Sequence, residues 1–422
     1  MGSVLLVSIY GDGIPLAIRL AEEGSIVKVI IKDKSAKPSL TGYKNPTRIT
    51  TPSMLEQYDL ILFDMVGLGQ QAELFKQKGK LVIGGGVFND KLELDRNYGQ
   101  RVVKHLLPEV KLPGGKLIKT QDQLLKELEV AQPKVIKPLN NQSPTLTLVS
   151  KDNQNRTLKT LATRLKHLTP CILQDKVNGI EISTEGWFNG ERFVKPLFNH
   201  TIENKRFMEG DKGCQTGCMG NVVWASNPDK DKIIQKVLLP LTPLLKKVEY
   251  LGPLDVNCII TENDIYFLEF TSRFGYDAIQ AFTELYKGKL FDMLWKLAIK
   301  DTSFNVWSDY SIAVRLSMPP YPQDEDCSIL RGVQVLDIPQ PARKHIMLSD
   351  VMLLNDTETL AGVDGVIGCA TARGQLISEL RKRVYRTIDN CIIHQDVQYR
   401  KDIGLDVERK IEQLKTWGWI DA

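Results

Sequence analysis

The sequence predicts a mixed α/β protein, part α/β and part α+β, divided into three units. Three observations carry this. The first hundred residues alternate short β-branched runs with amphipathic stretches, the signature of a parallel sheet with helices on its faces. The middle of the chain changes character, with an amphipathic helix, several strands and one long polar loop holding four glycines. Beyond about residue 305 a third run of strands and a helix begins, with Pro319-Pro320-Tyr321-Pro322 near its start. A length of 422 residues exceeds what one ordinary core holds. We therefore divide the chain at 1–105, 106–304 and 305–422.

In the first unit the expected strands are Val4–Ser8, Ile26–Ile31, Leu60–Phe63 and Leu81–Ile83, with helices over Ile14–Glu23 and Gly69–Gln77. The turn Gly11-Asp12-Gly13 joins the first strand to the first helix. It lacks a full dinucleotide fingerprint. It reads as a tight turn, or as a place for a small anionic or polar substrate at the helix start. Gly84-Gly85-Gly86 closes another strand and is either an open approach for substrate or a turn. A helix is expected from Lys91 onward, carrying Glu93, Asp95, Arg96 and Lys104.

The second unit starts with an amphipathic helix over Gln121–Leu128 and a strand, Lys134–Pro138, holding Lys137. Cys171–Val177 reads as a strand running into Asn178-Gly179, with Glu181 on the next one. The stretch Asn204–Gly220 has four glycines and several charges, which predicts a ligand-facing loop. A helix over Lys230–Val248 follows. Asp255-Val-Asn257 and Tyr266–Thr271 then form a hairpin that sets Asn257 beside Glu269. Strand alternation predicts that Glu269, Thr271 and Arg273 share a face, with Glu269 carried into an otherwise buried one. A carboxylate in that setting calls for compensation by a metal ion or a phosphate-binding partner. In the third unit a strand over Ser311–Ser317 and a final helix over Gly374–Asn390 are expected.

Composition narrows the classes. The apolar fraction of 42% and the charged fraction of 25% are those of a soluble globular chain, and the net charge of +4 gives no case for a dedicated nucleic-acid surface. No apolar run spans a bilayer, and Val4–Ile9 reads as a first strand, not a signal peptide. Seven scattered cysteines fit a reducing cytoplasm, and the Cys214/Cys218 spacing lacks the partners of a metal site. Five histidines form no evident nucleophile pair.

Four motifs in sequence order, Asn178-Gly-Ile-Glu181-Ile-Ser183, Lys205-Arg206 with Glu209–Gly220, Leu268–Gly275 and Tyr399–Gly404, resemble the ATP-grasp ligases. Within them the resemblance is to the phosphoribosylamine–glycine ligase family, and it covers most of the chain. It implies an N-terminal pre-ATP-grasp domain, a central ATP-grasp fold and a small C-terminal α/β domain. It implies ATP and Mg2+ as cofactors, with Mn2+ as the alternative metal, and small-molecule partners: an amino acid such as glycine and an amine acceptor. The protein would be a monomer or dimer. By the resemblance, Arg96 and Lys137 meet the phosphates, Gln174, Asp175, Lys176 and Val177 form the adenine hinge, and Glu181 takes the ribose. Glu269, Thr271 and Asn257 hold the metal. Lys205, Arg206, Asp211, Thr216, Gly217 and Arg273 face substrate, and Glu269 and Arg273 serve catalysis. Tyr399–Gly404 is expected to be a C-terminal docking element.

The chain departs from the family at named positions. Thr271 stands for an asparagine, Cys218 for a glycine, and Gln174 and Lys176 lie in a hinge that is commonly acidic. Asn140–Pro144 replaces a glycine-rich loop with a second lysine. Ile9–Gly13 replaces the Gly-Gly-Arg-Glu-His segment that handles the phosphoribosyl substrate. These changes leave three readings: an active ligase, a ligase with another amine acceptor such as a modified nucleotide or nucleobase, or a nucleotide-binding protein without catalysis.

Overall fold

A computed structural model describes residues 2–52, 54–139, 147–150, 154–165, 168–323, 325–334 and 336–421. The segment Asn140–Pro144 lies outside them. The first unit is a five-stranded parallel sheet, ordered β3-β2-β1-β4-β5 from β1 (Ser3–Ser8), β2 (Ile26–Ile31), β3 (Thr47–Arg48), β4 (Leu60–Phe63) and β5 (Val82–Ile83). Its strands are apolar along their length because helices cover both faces. Helix α1 (Ile14–Glu22) and helix α2 (Gly69–Gln77) lie between them. The stretch expected as one helix is two, α3 (Val87–Leu94) and α4 (Arg96–Leu106). Asp95 breaks it: its extended backbone starts α4, and its carboxylate caps the Tyr98 N–H.

The three consecutive glycines are a turn, not an open approach. All three have positive φ, and the Gly84 N–H donates to Leu251 O at 2.9 Å. A Cβ on Gly84 would sit 2.4 Å from the Phe63 carbonyl oxygen, so only glycine lets these backbones meet.

A nine-stranded sheet forms the floor of the molecule. It takes β6 (Val110–Lys111) at one edge. Its centre is β11 (Ile180–Asn189), β12 (Phe193–Glu203), β15 (Gly220–Ala225), β16 (Leu251–Ile260) and β17 (Ile265–Thr271). It continues through β18 (Tyr310–Ser317), β20 (Ile346–Leu348) and β23 (Val366–Gly374), in the order β20-β23-β18-β15-β12-β11-β16-β17-β6. A separate four-stranded sheet, β7-β10-β8-β9, stands over it, from β7 (Gly115–Ile118), β8 (Lys134–Pro138), β9 (Leu148–Val149) and β10 (Cys171–Asp175). That smaller sheet has its own core around Ile118, Ile136, Leu158 and Leu173. Between β12 and β15 the chain makes a small hairpin of β13 (Arg206–Met208) and β14 (Lys212–Gln215).

The helix expected over Lys230–Val248 is interrupted. Residues Lys232–Val237 and Thr242–Lys247 are helical, with a 3-10 turn at Leu239–Leu241 between them. Pro240 and Pro243 remove the amide donors that would continue one helix. The helix Ile377–Asp389 is not the last; Val407–Thr416 follows it. No helix among the described residues is long and apolar enough to cross a membrane.

Candidate functional site

The two sheets enclose a cleft of about 770 Å3. The face of the floor sheet that looks into it is polar because alternate residues point inward: Glu181, Ser183 and Glu185 on β11, Asp255 and Asn257 on β16, Glu269 and Thr271 on β17. Asn257 pairs directly with Glu269, as the hairpin spacing predicts. The upper sheet brings Lys137, Gln174, Asp175 and Lys176 to the same space, and α4 brings Arg96.

Lys205 sits at the centre. Its ammonium lies 2.7 Å from Glu181, 3.3 Å from Glu203 and 4.0 Å from Glu269. Burial opposes its charge, but these carboxylates outweigh burial and raise its pKa well above the usual lysine value. Burial likewise pushes Glu181 up, yet Lys205 holds it below the ordinary carboxylate range. Glu203 is pushed up by burial, which Lys205 only partly offsets. Lys137 shows the reverse balance. Burial and then the nearby Arg96 guanidinium lower it to about 8, as expected of a cation held in a closed site with no anion of its own.

Glu269 differs from expectation. Its side chain is 66% exposed, opening into the cleft instead of being carried into a buried face. The register of β16 and β17 shifts between Asn257 and Cys258, so that Leu268 is bulged and the strand turns its acid outward. Arg273 lies past the end of β17, so alternation does not place it. Glu93 on α3 does, through an ion pair at 3.1 Å, while the guanidinium covers the Tyr276 ring at 4.2 Å. Glu93 also accepts the Ser272 N–H at 2.8 Å. Burial raises the Glu93 carboxyl against the opposing pull of Arg273. Glu93 was visible on an expected helix, but nothing in its sequence position links it to residues 180 further on.

Thr216 and Gly217 reach the cleft, and both Thr216 donors bond the Lys205 carbonyl, at 2.8 and 2.9 Å. Arg206 and Asp211 do not line it. Arg206 opens the hairpin, and its guanidinium donates to Gly213 O at 3.1 Å. Asp211 pairs with Arg400 at 3.0 Å. The expected loop is thus a hairpin, clamped from outside by the C-terminal segment. Arg400 is 2% exposed, makes a bidentate contact with Asp402 at 2.7 Å on each arm, and donates to Arg206 O at 2.8 Å. Asp402 accepts the Gly210 N–H and Glu209 accepts the Lys401 N–H. Tyr399–Gly404 touches the hairpin and not the cleft.

At the hinge, Gln174 is buried and donates to Pro113 O at 3.4 Å. Asp175 pairs with Lys134, and Lys176 reaches Ser150 O at 3.2 Å. Residues 174–177 all line the cleft, with the Gln174, Asp175 and Lys176 side chains each held by a protein partner.

The Gly11–Gly13 turn meets Arg273 from the N-terminal side. The Gly13 N–H donates to Asp64 Oδ2 at 2.6 Å, so the helix start is occupied by the protein's own carboxylate. Asp12 is raised to about 7 by burial and by Asp64 and Asp364, and Asp64 to about 6 by burial. A second cavity, of about 710 Å3, lies near Arg19, Trp307 and Arg343. Two of its arginines are paired here, Arg19 with Glu23 and Arg343 with Glu22 and Glu358.

No group of three His, Cys, Asp or Glu side chains among the described residues is placed to hold a metal. The oxygens of Glu269, Thr271 and Asn257 do line one stretch of the cleft, and Asn257 Oδ1 is buried without a hydrogen-bond partner. An all-oxygen set with an orphaned acceptor fits a hard divalent cation whose shell is completed by phosphate and water.

A small sheet standing over a larger one, with cations above and carboxylates below, is the arrangement of an ATP-grasp fold. Residues 113–278 match the family model for phosphoribosylglycinamide synthetase, ATP-grasp (A) domain. A phosphoribosylamine–glycine ligase of Helicobacter pylori is 26% identical over 351 residues, 79% of each chain. One from Clostridium acetobutylicum is 22% identical over 432 residues, 95% of this chain and 99% of its own. The crystal structure of the Thermotoga maritima phosphoribosylamine–glycine ligase superposes with a TM-score of 0.68 at 18% identity, covering 95% of this chain and all of that one. Residues 113–278 are thus similar to a phosphoribosylglycinamide synthetase ATP-grasp domain, and the whole chain shares the fold of the Thermotoga maritima structure.

Proposed function

We propose that the protein joins a carboxylate to an amine at the expense of ATP through an acyl phosphate, with glycine and 5-phosphoribosylamine as the reference substrates. The observation that carries this is the convergence of Arg96, Lys137, Lys205, Glu269 and Arg273 on one cleft. Lys137 and Arg96 bind the phosphates from above, the 174–177 backbone takes adenine, and Glu181 takes the ribose. Glu269, with Thr271 and Asn257, would hold magnesium, which would supply positive charge to offset that of the phosphates. A donor carboxylate oxygen attacks the γ-phosphorus and the bond to ADP breaks. The amine nitrogen then attacks the acyl carbon, the bond to phosphate breaks, and the departing phosphate takes the amine proton. Arg273 stabilises the charge on the transferred group, with Glu93 and Tyr276 fixing its direction. Thr216 and Gly217 shape the substrate side next to Lys205.

We keep the three units as working domains, the third sharing the floor sheet with the second. The seven free cysteines support a reducing, cytoplasmic setting.

One observation favours another acceptor. Where the resemblance places a phosphoribosyl group, this chain sets Asp12 and Asp64 near Arg273, and carboxylates there repel a phosphate. ADP release tests both readings: with MgATP and glycine alone, then with 5-phosphoribosylamine, then with unphosphorylated amines. Stimulation by phosphoribosylamine supports the first; stimulation only by unphosphorylated amines supports the second. ATP binding with no ADP from any pair overturns the ligase reading.

A further inference from the structure

Beyond the triphosphate end of the cleft the floor carries two acids with no role so far. Asp255 pairs across the strands with Glu185 on one side and Thr271 on the other. Both line the cleft, yet Glu185 is 7% and Asp255 8% exposed. Glu185 Oε1 accepts from Trp187 Nε1 at 3.0 Å and from Asn199 Nδ2 at 2.9 Å, which fixes its carboxylate. Asp255 Oδ1 is buried without any hydrogen-bond partner. Lys205 makes its ion pairs with Glu181, Glu203 and Glu269, not with these two. Burial holds both carboxyls above the ordinary carboxylate range, and a cation placed beside them would draw them into the charged form and satisfy the orphaned oxygen.

Position says what that cation is. Glu181, Ser183 and Glu185 step along β11 at roughly 6.8 Å per pair of residues, from the ribose end to the floor beneath the Arg273 segment. There Trp187 packs against Phe274 at 5.9 Å. A donor whose carboxylate faces Arg273 would direct its other end at Glu185 and Asp255. An ammonium donates three hydrogen bonds and accepts none, which suits a pocket of acceptors. A metal fits less well, because Glu185 Oε1 already accepts two hydrogen bonds.

We propose that Glu185 and Asp255 form a subsite for the ammonium group of an amino-carboxylate donor, so that the enzyme selects amino acids over simple carboxylic acids. This rests on the ligase reading above. The test is ADP formation with glycine, β-alanine and γ-aminobutyrate, each set against its desamino analogue: acetate, propionate and butyrate. For wild type, at least one amino compound should saturate at a concentration about tenfold or more below its analogue. Asp255→Asn and Glu185→Gln should each raise KM for that compound about tenfold to a hundredfold, leaving KM for ATP and for the analogue within about twofold.

If wild type uses both members of every pair alike, or the variants lose both equally, the proposal is overturned while the ligase reading stands. If no carboxylate yields ADP, the ligase reading fails, and calorimetric titration of the protein loaded with a non-hydrolysable ATP analogue decides the subsite. Binding of an amino compound but not its analogue, lost in Asp255→Asn, supports it; equal or absent binding overturns it. Loss of Mn2+ affinity in Asp255→Asn with unchanged discrimination also overturns it, in favour of a metal position.

Discussion

Changing Glu185 to glutamine should make the protein more stable, and more so as pH rises. The carboxyl is buried under the cleft floor, with only Asn199 and Trp187 donating to it. Burial lifts its pKa from 4.5 to about 7 against those two hydrogen bonds. That is roughly a three-hundredfold gain in proton affinity on folding, or about 3 kcal/mol. The sign follows from linkage. A carboxyl with a raised folded-state pKa contributes its full stability below pH 4.5, and that stability is lost as pH rises through about 7. Glutamine has no proton to lose and keeps an oxygen for the same two donors. The variant should therefore gain about 3 kcal/mol on wild type between pH 4.5 and 8. Asp255 adds to the same trend, since Glu185 is one of the charges that raise its pKa. Urea unfolding of both proteins without nucleotide at pH 5 and pH 8 measures it. A difference in stability that does not change with pH would refute the claim that this carboxyl is held neutral by burial.

Lys137 has the opposite consequence for ligand binding. With its pKa lowered to about 8, ATP binding above pH 8 should draw in a proton and weaken by up to about tenfold per pH unit. Calorimetry at pH 9 in buffers of different ionisation enthalpy reads the proton, and Lys137→Met should abolish the uptake. Glu269→Gln should lower kcat about a hundredfold or more while ATP affinity without metal stays unchanged; unchanged turnover would remove Glu269 from the metal set. Glu93→Gln should cost about 1–3 kcal/mol in unfolding free energy and lower kcat more than it raises KM for ATP, because Arg273 loses its ion pair. Equal kcat in that variant would show that Tyr276 and the Phe274 carbonyl suffice to orient the guanidinium.

Much of the cleft was legible in the sequence where the information is local. The interval from Asn257 to Glu269 sets a hairpin, and the hairpin sets the pair. Pro240 and Pro243 announce a broken helix. What could not be read is contact between distant segments. The bulge at Leu268 depends on how β17 meets β16, and Glu93 reaches Arg273 only after α3 has packed on the strand end. Glu185 and Asp255 look like ordinary strand acids until the register of β11 against β16 sets them side by side.

The floor sheet has a consequence for how the chain can be cut. The stretch that matches the ATP-grasp family model stops at residue 278, but β15 lies between β12 and β18, and β18 begins only at Tyr310. A fragment ending near 304 would leave β15 as an exposed edge, with unpaired amides and carbonyls along an apolar strand, a template for association with other chains. Completion of that side of the floor waits on β23, which ends at Gly374. Expressed alone, the nucleotide-binding portion should aggregate, whereas a chain carried through β23 has the strands to cover it.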